Sequence, residues 1–387
     1  MNQRIGRFIP QKVSLESYTA YVPPPLPPNP PVDLSRLYPH LEKATFALAE
    51  LNSIHKTIPN TSLFIYMYVR KEALLSSQIE GTQSSFSDLM LFEHNQHPQV
   101  ALEDVEEVSN YVKSINYGLK QLKQNFPLSL RLIRDIHRIL LSGCRGLEKL
   151  PGEFRRSQNW IGGTRPGNAL FVPPPLDYLN QCLYDFETFL HDNSLPVLVK
   201  VGLLHVQFET IHPFLDGNGR LGRLLIPLIL CSSGILDEPI LYLSLYLKKN
   251  VHKYYELLQE VRIYGTWETW LEFFIEGVYL SAKDAVNKAL KMSSLFEEDF
   301  SKIAKLGRAR FSCEQSLEYM KRLPQLTVSL LASELAITAP TARSALNHMA
   351  SIGVIEETSC KKRDKIYVYR KYLDILEEGA EPLAVRI

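Results

Sequence analysis

Cysteine is scarce in this sequence. Five residues, at 144, 182, 231, 313 and 360, are spread over 387 positions with no CxxC pair. That spacing argues against a disulfide framework or a structural zinc site, and it fits a reducing, cytoplasmic setting. An excess of either charge is also lacking, with 43 basic side chains against 42 acidic ones. The molecule as a whole therefore offers no electrostatic argument for nucleic acid or an acidic partner. No apolar run approaches the ~20 residues that span a bilayer, so no membrane partner is expected. The N-terminal MNQRIGRFIPQK has no apolar core of the signal-peptide kind. What is present, 45% hydrophobic and 22% charged residues, is typical of a soluble globular protein. The length exceeds one ordinary core, and two or three domains are expected.

Pro23 to Pro31 holds seven prolines in nine residues, which favours polyproline II and forbids helix. Residues 1–35 accordingly read as an irregular, extended surface arm, or as a ligand for a proline-binding module. Helical patterns follow. Asp33 is a candidate N-cap for Leu34–Ile54, and Asn60-Thr61-Ser62 for Leu63–Glu80. Gly81 then sits where a left-handed C-terminal residue is wanted. Glu103–Leu122, Leu128–Leu141, Leu176–His191, Val197–Ile211, Tyr254–Tyr264 and Thr266–Met292 continue the pattern. One stretch differs: between Gly152 and Pro175, two short β-prone runs flank a turn over Gly162–Asn168, which suggests a hairpin. The C-terminal segment changes character again. Ser312–Leu323, Thr327–Ile337 and Ala339–Ser351 read as short helices, while Val354–Glu357 and Lys365–Tyr369 alternate like strands. Three helices and a basic-tipped hairpin describe a winged helix-turn-helix.

The most informative stretch is His212-Pro213-Phe214-Leu215-Asp216-Gly217-Asn218-Gly219-Arg220-Leu221-Gly222-Arg223, followed by an apolar run from Leu224 to Leu230. A polar loop feeds a buried helix. Its start offers unpaired N–H groups and the positive end of the helix dipole, which suits an anion. Two arginines three residues apart add fork-shaped phosphate donors.

This string resembles the signature of the Fic family without a departure, and the resemblance extends over roughly residues 40–290. It implies a mainly α fold: a Fic-type helical bundle with one β-hairpin flap, plus the C-terminal winged helix. The expected divisions are the proline-rich arm (1–35), an N-terminal helical region carrying an inhibitory helix (36–115), a Fic core (116–295) and the winged helix (300–387). The implied activity is transfer of AMP from ATP, with Mg²⁺, to a Ser, Thr or Tyr hydroxyl of a target protein and of the chain itself. A histidine titrating near neutrality suits a general base, the role given to His212. Asp216 is a hard oxygen ligand and suits Mg²⁺ bridging the nucleotide phosphates. Gly217, Asn218 and Gly219 let backbone N–H groups approach those phosphates. Arg220, Leu221, Gly222 and Arg223 complete the phosphate-binding string, with Arg223 on the γ-phosphate by resemblance.

The hairpin, with Gly163, Thr164, Leu170, Phe171 and Val172, resembles the Fic flap, whose strand edge would pair with the target segment. Ser76, Glu80 and Gly81 match the Fic inhibitory motif, which implies that Glu80 pairs with Arg223 and keeps the γ-phosphate from settling productively. Tyr246, Asn250, Tyr254 and Tyr255 are nucleoside-pocket candidates by resemblance, although their helical spacing is equally that of a packed core. His205 reads as a packing or supporting residue.

Two other readings stand beside AMP transfer. The same scaffold suits other phosphate transfer, or removal of AMP with Glu80 orienting water. Alternatively, the chain is a DNA-binding regulator with a nucleotide-sensing Fic region. Ser301 to Lys371 carries 13 Lys+Arg against 6 Asp+Glu. Thr341, Arg343, Ser344, Asn347 and His348 would reach bases or phosphates, and Lys361, Lys362, Arg363 and Lys365 would arm the wing. Winged helices also serve as dimerisation units, which leaves a homodimer open.

Overall fold

A computed structural model describes residues 4–13, 16–57, 61–93, 100–143, 147–358 and 365–381. The Asn60 cap and the wing residues Lys361, Lys362 and Arg363 lie outside the described residues.

The periodic segments form α1 (Leu34–Thr57), α2 (Thr61–Ile79), α3 (Phe86–Glu93), α4 (Leu102–Lys123), α5 (Leu130–Leu140), α6 (Leu176–Leu190), α7 (Val197–Ile211), α8 (Asn218–Ser232), α9 (Ser244–Lys249), α10 (Val251–Tyr264) and α11 (Trp267–Ile303). Asp33 caps α1 by accepting from Ser35 N at 3.0 Å. Gly81 follows α2 with φ +105°, as its position after the last turn requires. Among the described residues, no helix is long and apolar enough to cross a membrane.

α2 is buried without a break from Met67 to Ile79. It packs against α4 and α9 and touches α8 and α1. A helix covered on every side must be apolar or internally paired all round. Leu74 and Leu75 are fully buried, and each such burial is worth about 1.5–3 kcal/mol. Two of the buried polar residues of α2 are paired with α9: Glu72 accepts from Ser244 Oγ at 2.5 Å, and Gln78 accepts from Lys248 Nζ at 2.6 Å.

The C-terminal unit contains α12 (Arg310–Met320), β3 (Gln325–Thr327), α13 (Val328–Glu334), α14 (Ala339–Ser351), β4 (Glu356–Glu357), β5 (Ile366–Val368) and α15 (Arg370–Glu377). Its antiparallel sheet has the order β3-β5-β4. Beyond α15 the chain returns to α2. The carbonyls of Glu378 and Ala380 accept from Lys71 Nζ at 3.0 Å and Gln78 Nε2 at 2.9 Å, and that of Glu381 from Lys248 Nζ.

Four expectations are revised. Residues 7–13 and 16–22 are not irregular: β1 (Arg7–Val13) pairs antiparallel with β2 (Glu16–Val22). Pro10 and the proline run mask this in the sequence. Yet β1 is an edge strand that tolerates proline, and Ala20, Tyr21 and Val22 are buried. The hairpin expected between Gly152 and Pro175 shrinks to one bridge, Ile161↔Phe171, around a 3₁₀ turn at Pro166–Asn168. Glycines and prolines leave too few residues there for a ladder. The expected boundary at 115/116 falls inside α4, and that at 295/300 inside the continuous α11. Finally, α3, α9 and α15 went unread, because six to eight residues carry too little periodicity.

Candidate active site

α7 ends at Ile211, and His212 caps it in the left-handed region, at φ 48° and ψ 61°. The turn that follows is tied by Asn218. Its Oδ1 accepts from Phe214 N and its Nδ2 donates to Phe214 O, both at 2.9 Å. Gly217, at φ +74°, then lets α8 begin. The first helical bond is Leu221 N to Gly217 O, at 2.9 Å. The amides of Asn218, Gly219 and Arg220 therefore have no carbonyl one turn back within the helix.

A cleft of about 560 Å³ opens on this turn. His212, Asp216, Gly217, Asn218, Gly219 and Arg220 line it, together with Glu80, Gly81, Thr82, Asp104 and Glu107. Residues far apart in sequence thus meet where an anion site was expected. Glu80 Oε1 accepts from Arg223 Nη2 at 2.5 Å. Arg223 also donates to Ser76 Oγ and Ser76 O, both at 2.9 Å. The guanidinium is 1% exposed, while the Glu80 side chain keeps 38% of its surface open. Burial alone would raise the Glu80 carboxyl, but Arg223, with help from Arg220, brings it below its ordinary value. Gly219 makes this approach possible, because a Cβ there would stand 2.3 Å from Glu80 Oε1. The carboxylate therefore sits beside the first turn of α8, where the dipole favours a negative group.

The imidazole of His212 is pushed down to about 4, first by burial and then by Arg262, against smaller opposing effects of the Glu209 carbonyl and Glu80. It is neutral at physiological pH and can accept a proton, but it lies well below the near-neutral range expected of this base from the sequence. Asp216 accepts from Gly217 N at 2.6 Å. Its side chain is 46% exposed and stands 3.9 Å from Arg220. Arg220 pairs with Glu107 at 2.8 Å.

Other residues of the string serve packing. Leu221 is fully buried and does not line the cleft. Gly222 faces Glu209, where a Cβ would lie 2.4 Å from Oε1. Burial pushes the Glu209 and Glu72 carboxyls up to about 7, with Arg223 pulling both down. Tyr254 is core: its hydroxyl bonds His205 Nε2 at 2.8 Å, while His205 Nδ1 stands 3.2 Å from Gly222 O. Burial drives His205 to about 3, so this neutral ring supports α8. Tyr246 packs on Phe273, with ring centroids 4.9 Å apart, and Asn250 Nδ2 bonds Tyr246 O at 2.9 Å. Tyr255 is 46% exposed and feels the charges of Glu80 and Arg223. None of these four nucleoside candidates lines the cleft.

In the flap, Phe171 and Val172 are buried while Leu170 is 81% exposed. Thr164 N donates to Asn168 Oδ1 at 3.0 Å, and Gly163 packs so closely on Asn168 that a Cβ would lie 2.4 Å from its carbonyl oxygen. Just after the flap bridge, the Val172 carbonyl is occupied by β2, since Tyr21 N donates to it at 2.9 Å.

Sequence reasoning missed Thr82, Asp104 and Glu107. The acidic first turn of α4, Glu103 and Asp104, was the available signal for Asp104, and Glu107 lies one turn further on. It also missed His137 on α5, which has no sequence signal. Its Nδ1 accepts from Gly152 N at 2.9 Å, so its Nε2 donates to Asp216 O at 3.0 Å, and its ring stacks on Phe214 at 3.7 Å.

Known proteins share parts of this sequence and fold. Residues 38–120 match the Fic/DOC family N-terminal model, and residues 127–230 match the Fic/DOC family model. The protein adenylyltransferase Fic of Aedes aegypti is 34% identical over 151 residues, 38% of this chain and 27% of that protein. The same-named protein of Drosophila virilis is 31% identical over 162 residues, 41% of this chain and 30% of that protein. The chain thus spans less than a third of these relatives' length. A solved Fic family protein from Desulfovibrio desulfuricans shares the fold at TM-score 0.54 and 20% identity, covering 84% of this chain and 95% of that one. A Fic domain containing signaling protein from Bacteroides thetaiotaomicron does so at TM-score 0.51 and 18% identity, covering 64% and 97%. Residues 38–120 and 127–230 are therefore domains of the Fic/DOC family, and the His212–Arg223 string lies within the second.

Proposed function

We propose that this chain is a protein adenylyltransferase held off by its own Glu80. The observation that carries this reading is the single cleft in which His212, Asp216, the first turn of α8 and Glu80 meet. ATP would place its phosphates on that turn. His212 takes the proton of a target Ser, Thr or Tyr hydroxyl, whose oxygen bonds the α-phosphorus as pyrophosphate leaves. Such chemistry is mostly positioning and charge stabilisation. Arg223 suits the γ-phosphate, and in this structure it holds Glu80 instead. Asp216 fits Mg²⁺, since its carboxylate is hard and open to the cleft. Among the described residues no cluster of three metal-ligating side chains gathers, so phosphate oxygens would complete the shell. Bound there, Mg²⁺ would neutralise phosphate charge. The adenylyltransferase names of the relatives support the same reading.

The test uses the Glu80→Gly protein with ATP labelled at the α- or the γ-phosphate. Only the α-label should stay on protein, and adding His212→Ala should remove it. Label persisting in the double variant would overturn the role of His212. Retention of γ-label would instead mean phosphorylation.

DNA contact by the C-terminal unit is a second reading. It is favoured because Thr341, Arg343, Ser344, Asn347 and His348 are all exposed on α14. A gel shift at low salt that weakens as salt rises is the expected result, and no shift at low salt removes this reading.

A further inference from the structure

Arg155 is 3% exposed. Among the described residues it has no carboxylate within ion-pair distance, and its side-chain partners are main-chain carbonyls. Nε donates to His212 O at 3.1 Å and Nη2 to Pro174 O at 2.5 Å, with a longer contact from Nη1 to Ser157 O at 3.4 Å. Its own N–H donates to Pro213 O at 2.9 Å. One helical turn's worth of sequence later, Asn159 Nδ2 donates to both His212 O at 3.2 Å and Phe214 O at 2.9 Å.

The positions of these carbonyls carry the meaning. Ser157 and Pro174 lie at the entry and exit of the flap, residues 160–172. His212 is the proposed base. One guanidinium therefore ties both ends of the flap to the base's main chain, and Asn159 doubles the tie. A buried charge without a carboxylate is a costly way to stabilise a fold. Burial accordingly pulls the guanidinium down to about 10. His212 is a non-glycine residue in the left-handed region. Such a conformation is strained and persists where its surroundings over-determine it. Two donors on its carbonyl meet that condition.

We propose that Arg155 and Asn159 are positioning residues: they hold the flap and the His212 main chain as one body, which sets the distance between the base and the hydroxyl the flap presents. The effect on rate rests on the AMP-transfer reading, whereas the mechanical coupling does not. Simple capping of α7 by Arg155 would predict lost stability with no joint effect on flap and base.

The experiment compares Arg155→Met and Asn159→Ala, each in the full-length Glu80→Gly chain. Hydrogen–deuterium exchange should quicken together in residues 160–172 and 212–217. AMP transfer at saturating ATP should fall about 100-fold for Arg155→Met and about 10-fold for Asn159→Ala, as displacement of a reacting group by about 1 Å would produce. ATP affinity by calorimetry should stay within about two-fold, because neither residue meets the phosphates. Exchange that quickens in only one segment, or ATP affinity lost in step with rate, overturns the proposal. If the Glu80→Gly parent transfers no AMP while both segments still exchange faster together, the AMP-transfer reading falls and the coupling stands. If Arg155→Met fails to fold, Asn159→Ala decides the matter by the same measurements.

Discussion

Replacing Glu80 by glycine should raise AMP labelling of the chain and its targets by about 10- to 100-fold, the equivalent of one charge-assisted hydrogen bond of ~1.5–3 kcal/mol. The argument is one of competition for Arg223. In this structure the guanidinium faces Glu80 at 2.5 Å and Ser76 at 2.9 Å. A γ-phosphate needs the same donors, and a phosphate beside a seated carboxylate adds like-charge repulsion. Removing the carboxylate frees Arg223 without removing Arg223's support from Ser76. α2 should stay in place, because Gln78 is held by Lys248 and by the Ala380 carbonyl on its other side. Glu80→Gln keeps the shape and loses the charge, so it should fall between the two. The measurement is initial-rate incorporation of α-labelled ATP at matched protein concentration. A Glu80→Gly rate equal to the parent's, with both proteins folded, would sink the idea. Mild acid should not mimic the substitution. The Glu80 carboxyl lies below its ordinary value, so the ion pair is complete above that value and is lost only as pH falls through the lowered one.

Much of this was legible from residue order, for reasons visible in particular residues. His212, Asp216, Gly217 and Gly219 announced themselves because a base, a hard ligand and a close backbone approach stand within one loop, which is a local arrangement. The Glu80–Arg223 pair spans 143 positions. It was readable only through the resemblance of Ser76–Gly81 to a known motif, since no periodicity links two points so far apart. Glu107, His137 and Arg155 stayed hidden for the complementary reason. Each acts on main chain or on a partner side chain brought near by packing, and none belongs to a pattern with its partner. Leu221 and Gly222 show the reverse error. They sit inside the string, but helical geometry turns them toward the core and Glu209. At β1 and β2, local chemistry misled: prolines that forbid helix do not forbid an edge strand. The docking of residues 378–381 on Lys71, Gln78 and Lys248 uses main-chain carbonyls, which no side-chain pattern encodes.

Arg223→Ala should destabilise the fold by about 2–4 kcal/mol and abolish AMP transfer even though it removes the plug's partner. Arg223 is 1% exposed, so its loss leaves a cavity and removes a donor from both Ser76 Oγ and Ser76 O. The figure reaches below the usual range of about 3–5 kcal/mol for a broken buried pair, because the Glu80 side chain is 38% exposed and can turn to solvent. The defect should depend on pH in a direction that identifies its cause. Glu72 and Glu209 are buried, titrate near 7, and are both drawn down by Arg223. A carboxyl raised by burial contributes stability below its unfolded value and loses it as pH rises through the folded value. At about pH 5 both are protonated with or without Arg223, so the substitution costs mainly packing and hydrogen bonds. At about pH 8 both ionise in the parent with the help of Arg223, which the variant lacks, so the deficit should widen. Urea midpoints of parent and variant at the two pH values check this, and a deficit that is equal at both removes the two carboxyls from the account. For activity, the variant separates plug from seat. If Arg223 only held Glu80, its loss would activate the chain as Glu80→Gly does. If it also seats the γ-phosphate, Arg223→Ala should be silent in the parent and in the Glu80→Gly background alike.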